Sequence, residues 1–233
     1  MMNPYSRTEF LLGKAAMDKL KKAKVAVFGL GGVGGYVVEA LARSGVGALE
    51  LVDHDTISKS NINRQILATV DTVGKDKVTV AAERVAAINP QIRVIPRKTF
   101  YLPETAGEFD FTEFDYVVDA IDTLDPKGAL IRECWKRGTR IISSMGAGAK
   151  CNLADIRCGE LWKTEHCTLA KNVRRQLRDA RGRYKLPVIY SVAEPRRDAI
   201  RPNPAGGKPI IGSLGYFTAT FGCYMAEYVI KEI

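Results

Sequence analysis

The sequence lacks the cysteine spacings that mark zinc sites and disulfide frameworks. Its 233 residues include five cysteines, at positions 134, 151, 158, 167 and 223, and no two of them form a CxxC pair. Structural zinc sites bind through closely spaced cysteine pairs, and disulfide-dependent folds belong to much shorter chains. We therefore expect reduced thiols and a fold that depends on its hydrophobic core alone.

Long apolar runs are missing as well. No uninterrupted apolar segment approaches the roughly 18 to 20 residues that a membrane span needs. Residues 1–8 are polar and contain no apolar core of signal-peptide length. These features predict a soluble, cytoplasmic protein without a membrane partner.

Acidic residues are outnumbered by basic ones. The chain carries 35 lysines and arginines against 26 aspartates and glutamates, which gives a formal net charge of +9. Net charge says little about the fold, but an excess of this size indicates a polyanionic partner. Nucleic acid is the partner that we consider first.

Strand and helix signals alternate through the first 145 residues, in the manner of a parallel sheet. Short apolar segments predict strands at 24–29, 48–52, 93–96, 116–119 and 140–144. Amphipathic segments predict helices at 8–22, 34–43, 75–88 and 126–137. The pattern predicts an α/β fold with a doubly wound, mostly parallel, Rossmann-like sheet.

The pattern changes after residue 145. We expect a carboxy-terminal extension that adds short strands and helices, including a basic helix near 167–181 and an apolar helix at 215–230. The whole chain is predicted to be one domain, 1–233. Its core would be residues 1–145 and its extension residues 146–233.

A glycine-rich turn follows the first predicted strand and opens a helix. It contains Gly29, Gly31, Gly32 and Gly34. Glycines at such a turn let backbone N–H groups approach a phosphate at the positive end of the helix. Asp53 ends the next strand, where a carboxylate can accept hydrogen bonds from a ribose. These features predict a bound nucleotide but do not distinguish NAD, FAD and ATP.

Residues beyond the second strand favour a triphosphate. The segments 53–55, 60–65 and 74–77 bring an arginine, Arg64, and a lysine, Lys77, towards the same crevice. A nicotinamide site does not need these cations, whereas attack on a phosphorus atom of ATP requires its charge to be countered. We therefore predict an ATP site.

Two carboxylates, Asp119 and Asp122, follow the fourth predicted strand. Ligands bind at the carboxyl ends of the strands in such folds, and carboxylates are ligands that Mg²⁺ prefers. The sequence therefore predicts a Mg²⁺ ion here, and Asp122 is the ligand that we assign.

The order GLGGVG, DHD, NINRQ, GKDK and DAID resembles the ubiquitin-activating-type adenylating enzymes, which include activators of bacterial sulfur-carrier proteins. The resemblance implies roles for residues at the matching positions. Asp53 would contact the ribose, Asp122 would bind Mg²⁺, and the phosphate contacts would be Asn61, Arg64 and Lys77. The resemblance also implies a homodimer in which Arg7 reaches the partner subunit's site. We place Asp55 and Gln65 in the same nucleotide site.

Within that superfamily the chain resembles the tRNA threonylcarbamoyladenosine dehydratases, at 40–47, 119–122, 146–148 and 218–222. The resemblance implies that the threonyl carboxylate is adenylated and that the carbamoyl group then displaces AMP to close a ring. It leaves open a monovalent cation near 146–148 and a sulfur-transfer partner. The chain departs from the family pattern at Pro4 and at 143–145.

Three other functions remain as alternatives. The first is an activator of a sulfur-carrier or ubiquitin-like protein, but those activators usually carry the two CxxC pairs missing here. The others are an NAD-binding oxidoreductase and a non-catalytic RNA-binding module.

Cys167, beside His166, is either a nucleophile or a structural thiol, and we favour the structural interpretation.

A basic segment lies in the carboxy-terminal third. Helical spacing would place Lys171, Arg174, Arg175 and Arg178 on one face, with Arg181 close by. The alternative is a solvated helix face without a partner. Because the whole chain is basic, we favour a surface that follows the phosphates of tRNA.

Overall fold

The computed structural model of the chain describes residues 4–204, 206–207 and 209–233. Nine strands and seven α-helices occur in this part of the chain. The strands are β1 Lys24–Phe28, β2 Ala48–Val52, β3 Arg93–Arg97, β4 Tyr116–Asp119, β5 Ile141–Ser144, β6 Ile156–Glu160, β7 Pro187–Ser191, β8 Ile200–Arg201 and β9 Ile210–Ile211. The helices are α1 Ser6–Leu12, α2 Lys14–Leu20, α3 Gly34–Arg43, α4 Lys77–Ile88, α5 Leu124–Arg137, α6 Thr168–Gln176 and α7 Gly215–Glu232.

Seven strands form one sheet in the order β3-β2-β1-β4-β5-β7-β6. All neighbours pair in parallel except β6 and β7, which are antiparallel. The order reverses between β1 and β4, so the connections after these two strands diverge and leave a crevice at their carboxyl ends. This arrangement confirms the predicted mostly parallel Rossmann-like α/β fold.

Side chains of the central strand β1 alternate between the two faces of the sheet, and each face packs into its own hydrophobic core. Val25 and Val27 of β1 pack into the cluster formed with α3, α4 and α7. Ala26 and Phe28 point the other way, into the cluster formed with α5 and α6. Burial on both faces explains why β1 is an apolar run without alternating polar residues.

The predicted helix at 8–22 is wrong as a single element. Gly13 has φ of 81°, a left-handed value that ends α1 and lets the chain turn into α2. Phe10 and Leu11 of α1 are 74% and 88% exposed, whereas Met17 and Leu20 of α2 are buried. The glycine therefore separates an exposed apolar helix from one that packs on the core.

The start of α4 is shifted to Lys77. Asp76 is extended and forms a bridge with Thr56, in which Ile57 N donates to Lys75 O at 2.9 Å and Lys77 N donates to Asp55 O at 3.1 Å. The pairing places the first residue of α4 beside the end of β2. It positions a lysine at the crevice.

Residues after 145 extend the same sheet. β7 pairs with β5, β6 forms the far edge, and α7 packs against α3. β8 and β9 form a separate hairpin near the crevice. Within the described residues, no helix combines the length and apolar character needed to cross a bilayer.

Candidate nucleotide site

A cleft of about 700 Å³ opens at the carboxyl ends of the parallel strands. Its size lies within the range of small-molecule sites. Predicted nucleotide-site residues from five separate chain segments line it. They are Gly29, Gly31, Gly32, Asp53, Asp55, Asn61, Arg64, Gln65, Lys77 and Asp122.

In the glycine turn between β1 and α3, some glycines are required by close backbone packing and another borders open space. Gly29 has φ of 89°, and a Cβ atom there would lie 2.7 Å from Ala120 O. Gly34 does not line the cleft, and a Cβ atom on it would lie 1.8 Å from Gly29 O. A Cβ atom on Gly31 would meet only Gln65 Nε2, at 3.9 Å. Gly29 and Gly34 thus permit close backbone packing, while Gly31 borders open space near the amino end of α3.

Asp53 connects β2 to the glycine turn. Its Oδ2 accepts from Leu30 N at 2.7 Å, and its Oδ1 accepts from Asp55 N at 2.8 Å. Lys77 Nζ lies 2.7 Å from Asp55 Oδ2 and 3.6 Å from Asp53 Oδ2. Lys77 is only 4% exposed, so this cation is held by two carboxylates in a fixed place at the cleft wall.

Arg64 is held by neutral oxygens. Its Nη1 donates to Ser60 O at 2.9 Å and to Asn63 Oδ1 at 3.0 Å. No carboxylate forms an ion pair with Arg64 in the part of the chain that the structure describes. Its positive charge therefore remains available to an anion in the cleft. Nearby, Asn61 Oδ1 accepts from Ser58 N at 3.0 Å, which fixes the Asn61 side chain in the turn.

Two buried polar atoms in the cleft have no hydrogen-bond partner among the described residues. They are Gln65 Oε1 and the Tyr101 hydroxyl. Burial raises the pKa of Tyr101 well above its usual value, so the phenol stays a hydrogen-bond donor. Buried polar atoms normally have partners, and a bound molecule with hydroxyl or amino groups would supply them.

Only one of the two carboxylates predicted after β4 faces the cleft. Asp119 is fully buried, and its Oδ2 accepts from Lys127 Nζ at 2.7 Å and from Ser143 Oγ at 2.6 Å. Asp119 is therefore neutralised inside the fold, and Asp122 alone of the two can reach a ligand in the cleft. Asp122 is exposed and lines the cleft, and the one hydrogen bond that it accepts from the described residues is a long one from Thr123 Oγ1, at 3.3 Å.

The cleft has an apolar side that we did not predict. Thr99, Phe100, Tyr101, Met145, Leu169, Pro209, Ile211 and Thr218 also line it. The hairpin of β8 and β9 approaches closely, because a Cβ atom on Gly148 would lie 2.6 Å from Ile211 Cγ2. These residues come from loops, from α6 and α7 and from β9, which lie far apart in the chain. Only 218–222, quoted above as a family stretch, carried a sequence signal.

Arg7 lies outside the cleft. It is exposed on α1. A contact with a second protomer is therefore still a prediction.

The prediction of a single basic helix face is wrong. α6 ends at Gln176, so Arg178 and Arg181 lie beyond it. Arg174 Nη1 donates to Leu161 O at 3.3 Å, to Thr164 O at 2.9 Å and to Thr164 Oγ1. Arg174 therefore anchors the preceding loop.

Three other basic residues of this segment remain exposed: Lys171, Arg175 and Arg178. Among the described residues, their side chains have no hydrogen bond or ion pair. Arg181 lies over the Trp162 ring, with its Cζ 5.9 Å from the ring centroid. Lys171, Arg175 and Arg178 form what we call the basic patch.

Cys167 is a helix cap. Its side chain is 7% exposed, and Sγ accepts from Ala170 N at 3.5 Å at the start of α6. His166 Nδ1 lies 3.6 Å from Glu194 Oε1, and neither residue lines the cleft. This geometry agrees with a structural thiol.

Comparison with known proteins places these features in a family. A ThiF family profile matches residues 5–233. The tRNA threonylcarbamoyladenosine dehydratase of Bacillus subtilis is 43% identical over 195 residues, which cover 84% of this chain and 77% of that protein. The Escherichia coli tRNA N6-threonylcarbamoyladenosine dehydratase has been solved with ATP. It is 32% identical, with a TM-score of 0.89, and the match covers 98% of this chain and 93% of that one. An AMP complex of the same enzyme matches with a TM-score of 0.88 and 33% identity, over 97% and 92% of the two chains. The chain belongs to the ThiF family and, within it, to the tRNA threonylcarbamoyladenosine dehydratases.

Proposed function

We propose that this protein uses ATP to cyclise threonylcarbamoyladenosine in tRNA. One observation carries the proposal: Arg64, Lys77 and Asp122 line the same cleft as the glycine turn. The three residues lie far apart in the sequence, and a triphosphate with its counterion accounts for all of them together. The family membership identifies the carboxylate that would be activated.

The reaction balances in two steps. A carboxylate oxygen of the threonyl group attacks the α-phosphorus of ATP, and pyrophosphate leaves. The carbamoyl group then attacks the activated carbonyl carbon, AMP leaves, and a proton is released. The net result is the loss of one water from the modified nucleoside. No cysteine nucleophile is needed, in keeping with the buried Cys167.

Charge stabilisation would be the main contribution of this chain. Negative charge develops on phosphate oxygens as pyrophosphate departs, and a preorganised cation near these oxygens lowers the barrier. Arg64 offers a guanidinium without a carboxylate partner among the described residues. Lys77 is fixed by Asp53 and Asp55. Both cations are in place before substrate binds, so little reorganisation is required.

Other residues would position the nucleotide. The amino end of α3 and the backbone beside Gly31 would bind phosphate, and Asp53 would accept from ribose hydroxyls. The buried Gln65 Oε1 fits a hydroxyl or amino donor of the nucleotide. Asp122 presents carboxylate oxygens without an ion-pair partner among the described residues, which suits Mg²⁺. A bound Mg²⁺ would offset part of the triphosphate charge.

The basic patch of Lys171, Arg175 and Arg178 would contact the tRNA backbone. Its exposed cations lack partners among the described residues, so they can replace counterions on phosphates. Such contacts position an RNA without reading its bases. A tRNA substrate also fits a cytoplasmic location, which we propose for the protein.

We further propose a homodimer in which Arg7 completes the partner's site. Mixing two inactive variants, Arg7→Ala and Arg64→Ala, tests this assignment. A mixed dimer would contain one intact site, so random exchange should restore about a quarter of the wild-type sites. If Arg7 acted only within its own chain, each protomer of a mixed dimer would lack one of the two residues, and mixing would restore no activity. Absence of any recovery, with exchange verified by mass spectrometry, would reject the shared site.

The decisive experiment supplies the protein with ATP, Mg²⁺ and tRNA that carries threonylcarbamoyladenosine. Nucleoside mass analysis should show the loss of one water, with AMP and pyrophosphate formed in equal amounts. Lys75→Ala, an exposed lysine that does not line the cleft, is the matched control for Lys77. Unchanged nucleoside mass with the wild-type protein would refute the proposal.

The alternative is activation of a sulfur-carrier or ubiquitin-like protein. It would give ATP–pyrophosphate exchange that depends on a small protein ending in Gly-Gly and not on tRNA. A sulfur-transfer partner would need an accessible thiol, and Cys151, Cys158 and Cys223 are exposed. Replacing all three by serine should leave ring closure unchanged under the function proposed here.

A further inference from the structure

Among the residues that the structure describes, three lysines are almost completely buried, and their surroundings differ. Lys77 and Lys127 each have a carboxylate oxygen 2.7 Å from Nζ. Lys150 is 5% exposed, and its Nζ instead donates to two backbone carbonyls, His166 O at 3.1 Å and Ser191 O at 2.7 Å. Within the described residues no carboxylate lies within 4.0 Å of Lys150 Nζ. A buried charge without a counterion is unusual, so its surroundings require a specific explanation.

The backbone around Lys150 bends to form this environment. Ala149 and His166 have φ of 57° and 49°, and they are the only non-glycine residues with positive φ in the described part of the chain. Positive φ is unfavourable for such residues and persists only where the surroundings enforce it. Ala149 precedes the lysine, and His166 supplies one of the accepting carbonyls.

This arrangement borders the nucleotide cleft. Gly146 and Gly148, a few residues before Lys150, line the cleft, and Cys167 Sγ lies 3.6 Å from where a Cβ atom on Gly146 would be. Burial lowers the pKa of Lys150, whereas Cys167 and Asp155 act to raise it. The lysine therefore ties the 146–150 loop to the start of α6 and the end of β7.

We infer that the Lys150 ammonium acts as a tethered monovalent cation at the His166 and Ser191 carbonyls, with the role that a dissolved K⁺ or Na⁺ would otherwise have at this wall of the cleft. Backbone carbonyls without carboxylates are the ligands that proteins use to replace the hydration shell of K⁺. A second cation at the same carbonyls would be repelled by the ammonium. The consequence is a cleft wall whose stability does not depend on dissolved K⁺ or Na⁺.

Thermal unfolding of Lys150→Ala tests the inference without tRNA or ATP. Wild-type protein, Lys150→Ala and the exposed-site control Lys163→Ala are compared in choline, K⁺, NH₄⁺ and n-propylammonium chlorides at equal ionic strength. n-Propylammonium replaces the three carbons and the nitrogen that the substitution removes. In choline we expect the Tm of Lys150→Ala to fall by about 5 °C or more, because two buried carbonyls lose their donor.

Rescue by cations distinguishes this role from ordinary packing. n-Propylammonium, NH₄⁺ or K⁺ should recover at least half of the lost Tm in Lys150→Ala, by binding the vacated carbonyls in the folded state. The Tm values of wild type and Lys163→Ala should be the same in all four salts. If Lys150→Ala does not fold in choline, recovery of folded protein on refolding in n-propylammonium is measured instead.

Three results would overturn the inference: a wild-type Tm that rises with K⁺ relative to choline, a Lys150→Ala variant as stable as wild type in choline, or a variant that no cation rescues. The readout is stability, so it stays interpretable whether or not the proposed ring closure occurs. If the nucleoside assay failed while rescue was seen, the proposed function would fall and the tethered cation would stand.

Discussion

Gly34 packs directly against Gly29: a Cβ atom on Gly34 would lie 1.8 Å from Gly29 O. Gly29 O is a backbone atom just after β1, and a Cβ atom on Gly34 would be fixed to the backbone of α3, so a rotamer change cannot relieve the clash. We expect Gly34→Ala to lower the free energy of unfolding by about 3 kcal/mol, at the upper end of the usual cost of overpacking. Chemical denaturation measures the difference.

Gly31→Ala is the matched control for that substitution. Its added methyl group meets only Gln65 Nε2, at 3.9 Å, and therefore has room. We expect nearly wild-type stability but weaker ATP binding, because the methyl group borders the space where phosphate would approach the backbone. Equal stability of the two variants would show that the close approach of α3 to β1 is not the reason why a glycine is required at position 34.

Arg64→Ala should reduce kcat for ring closure by about 100- to 1000-fold, the usual effect of removing one preorganised donor. The fold should be preserved, because Arg64 is only half-buried and its bonds to Ser60 O and Asn63 Oδ1 are local. Single-turnover assays with the modified tRNA measure the loss, and Lys75→Ala should leave kcat unchanged. Wild-type turnover in Arg64→Ala would remove this residue from the site.

Substitutions in the basic segment should separate RNA binding from stability. Replacing Lys171 and Arg175 together by alanine should weaken tRNA binding and make the plot of log K against log salt shallower by about 2. Filter binding across a salt series measures the slope. An unchanged slope would place the RNA surface elsewhere.

Arg174→Ala is the contrasting variant. Arg174 donates to Leu161 O, Thr164 O and Thr164 Oγ1, so its loss leaves partly buried acceptors without their donor. We expect the free energy of unfolding to fall by about 1–3 kcal/mol. The salt slope should stay near the wild-type value. A slope change as large as that of the double variant would show that Arg174 contacts RNA.

The ion pair between Arg132 and Asp179 predicts a low pKa for Asp179 and a contribution to stability that depends on pH. Arg132 Nη2 lies 2.6 Å from Asp179 Oδ1, and this hydrogen-bonded guanidinium lowers the pKa of Asp179 to about 2. Because the folded pKa is depressed, any stabilisation from the pair is present above the unfolded value near 3.8 and is lost as pH falls towards 2. NMR titration of the carboxyl carbon measures the pKa directly.

Arg132→Ala should return the pKa of Asp179 to its usual range. Asp198, whose pKa is lowered by hydrogen bonding to Arg196, serves as the internal control and should keep its low pKa in this variant. A value near 2 for Asp179 in Arg132→Ala would mean that another group stabilises its charged form.

The sheet and the cleft could be predicted from the sequence because their signals are local. Buried strands read as apolar runs, the glycine turn marks the phosphate side, and the carboxyl ends of parallel strands meet at one edge. Arg64, Lys77 and Asp122 therefore converge as predicted. Other side chains of the cleft could be predicted only where they belong to a motif that follows a strand, such as Asp53 and Gln65.

Contacts between distant segments could not be predicted in this way. Asp119 carries the same local signal as Asp122, but Lys127 and Ser143 meet it only once α5 and β5 pack. Arg174 resembles its basic neighbours in sequence, and its capture depends on the path of the loop at 161–164. Lys150 has no local signal at all, because its partners are backbone atoms 16 and 41 residues away.

The pairing of Asp119 with Lys127 also constrains how the sequence can change over evolution. Either residue alone would leave an uncompensated charge in the interior, which is strongly destabilising, whereas an apolar or neutral pair of similar volume can be tolerated. A lineage would have to pass through the less stable single substitution or change both positions nearly at once. We expect relatives to retain the two residues together or to lose them together.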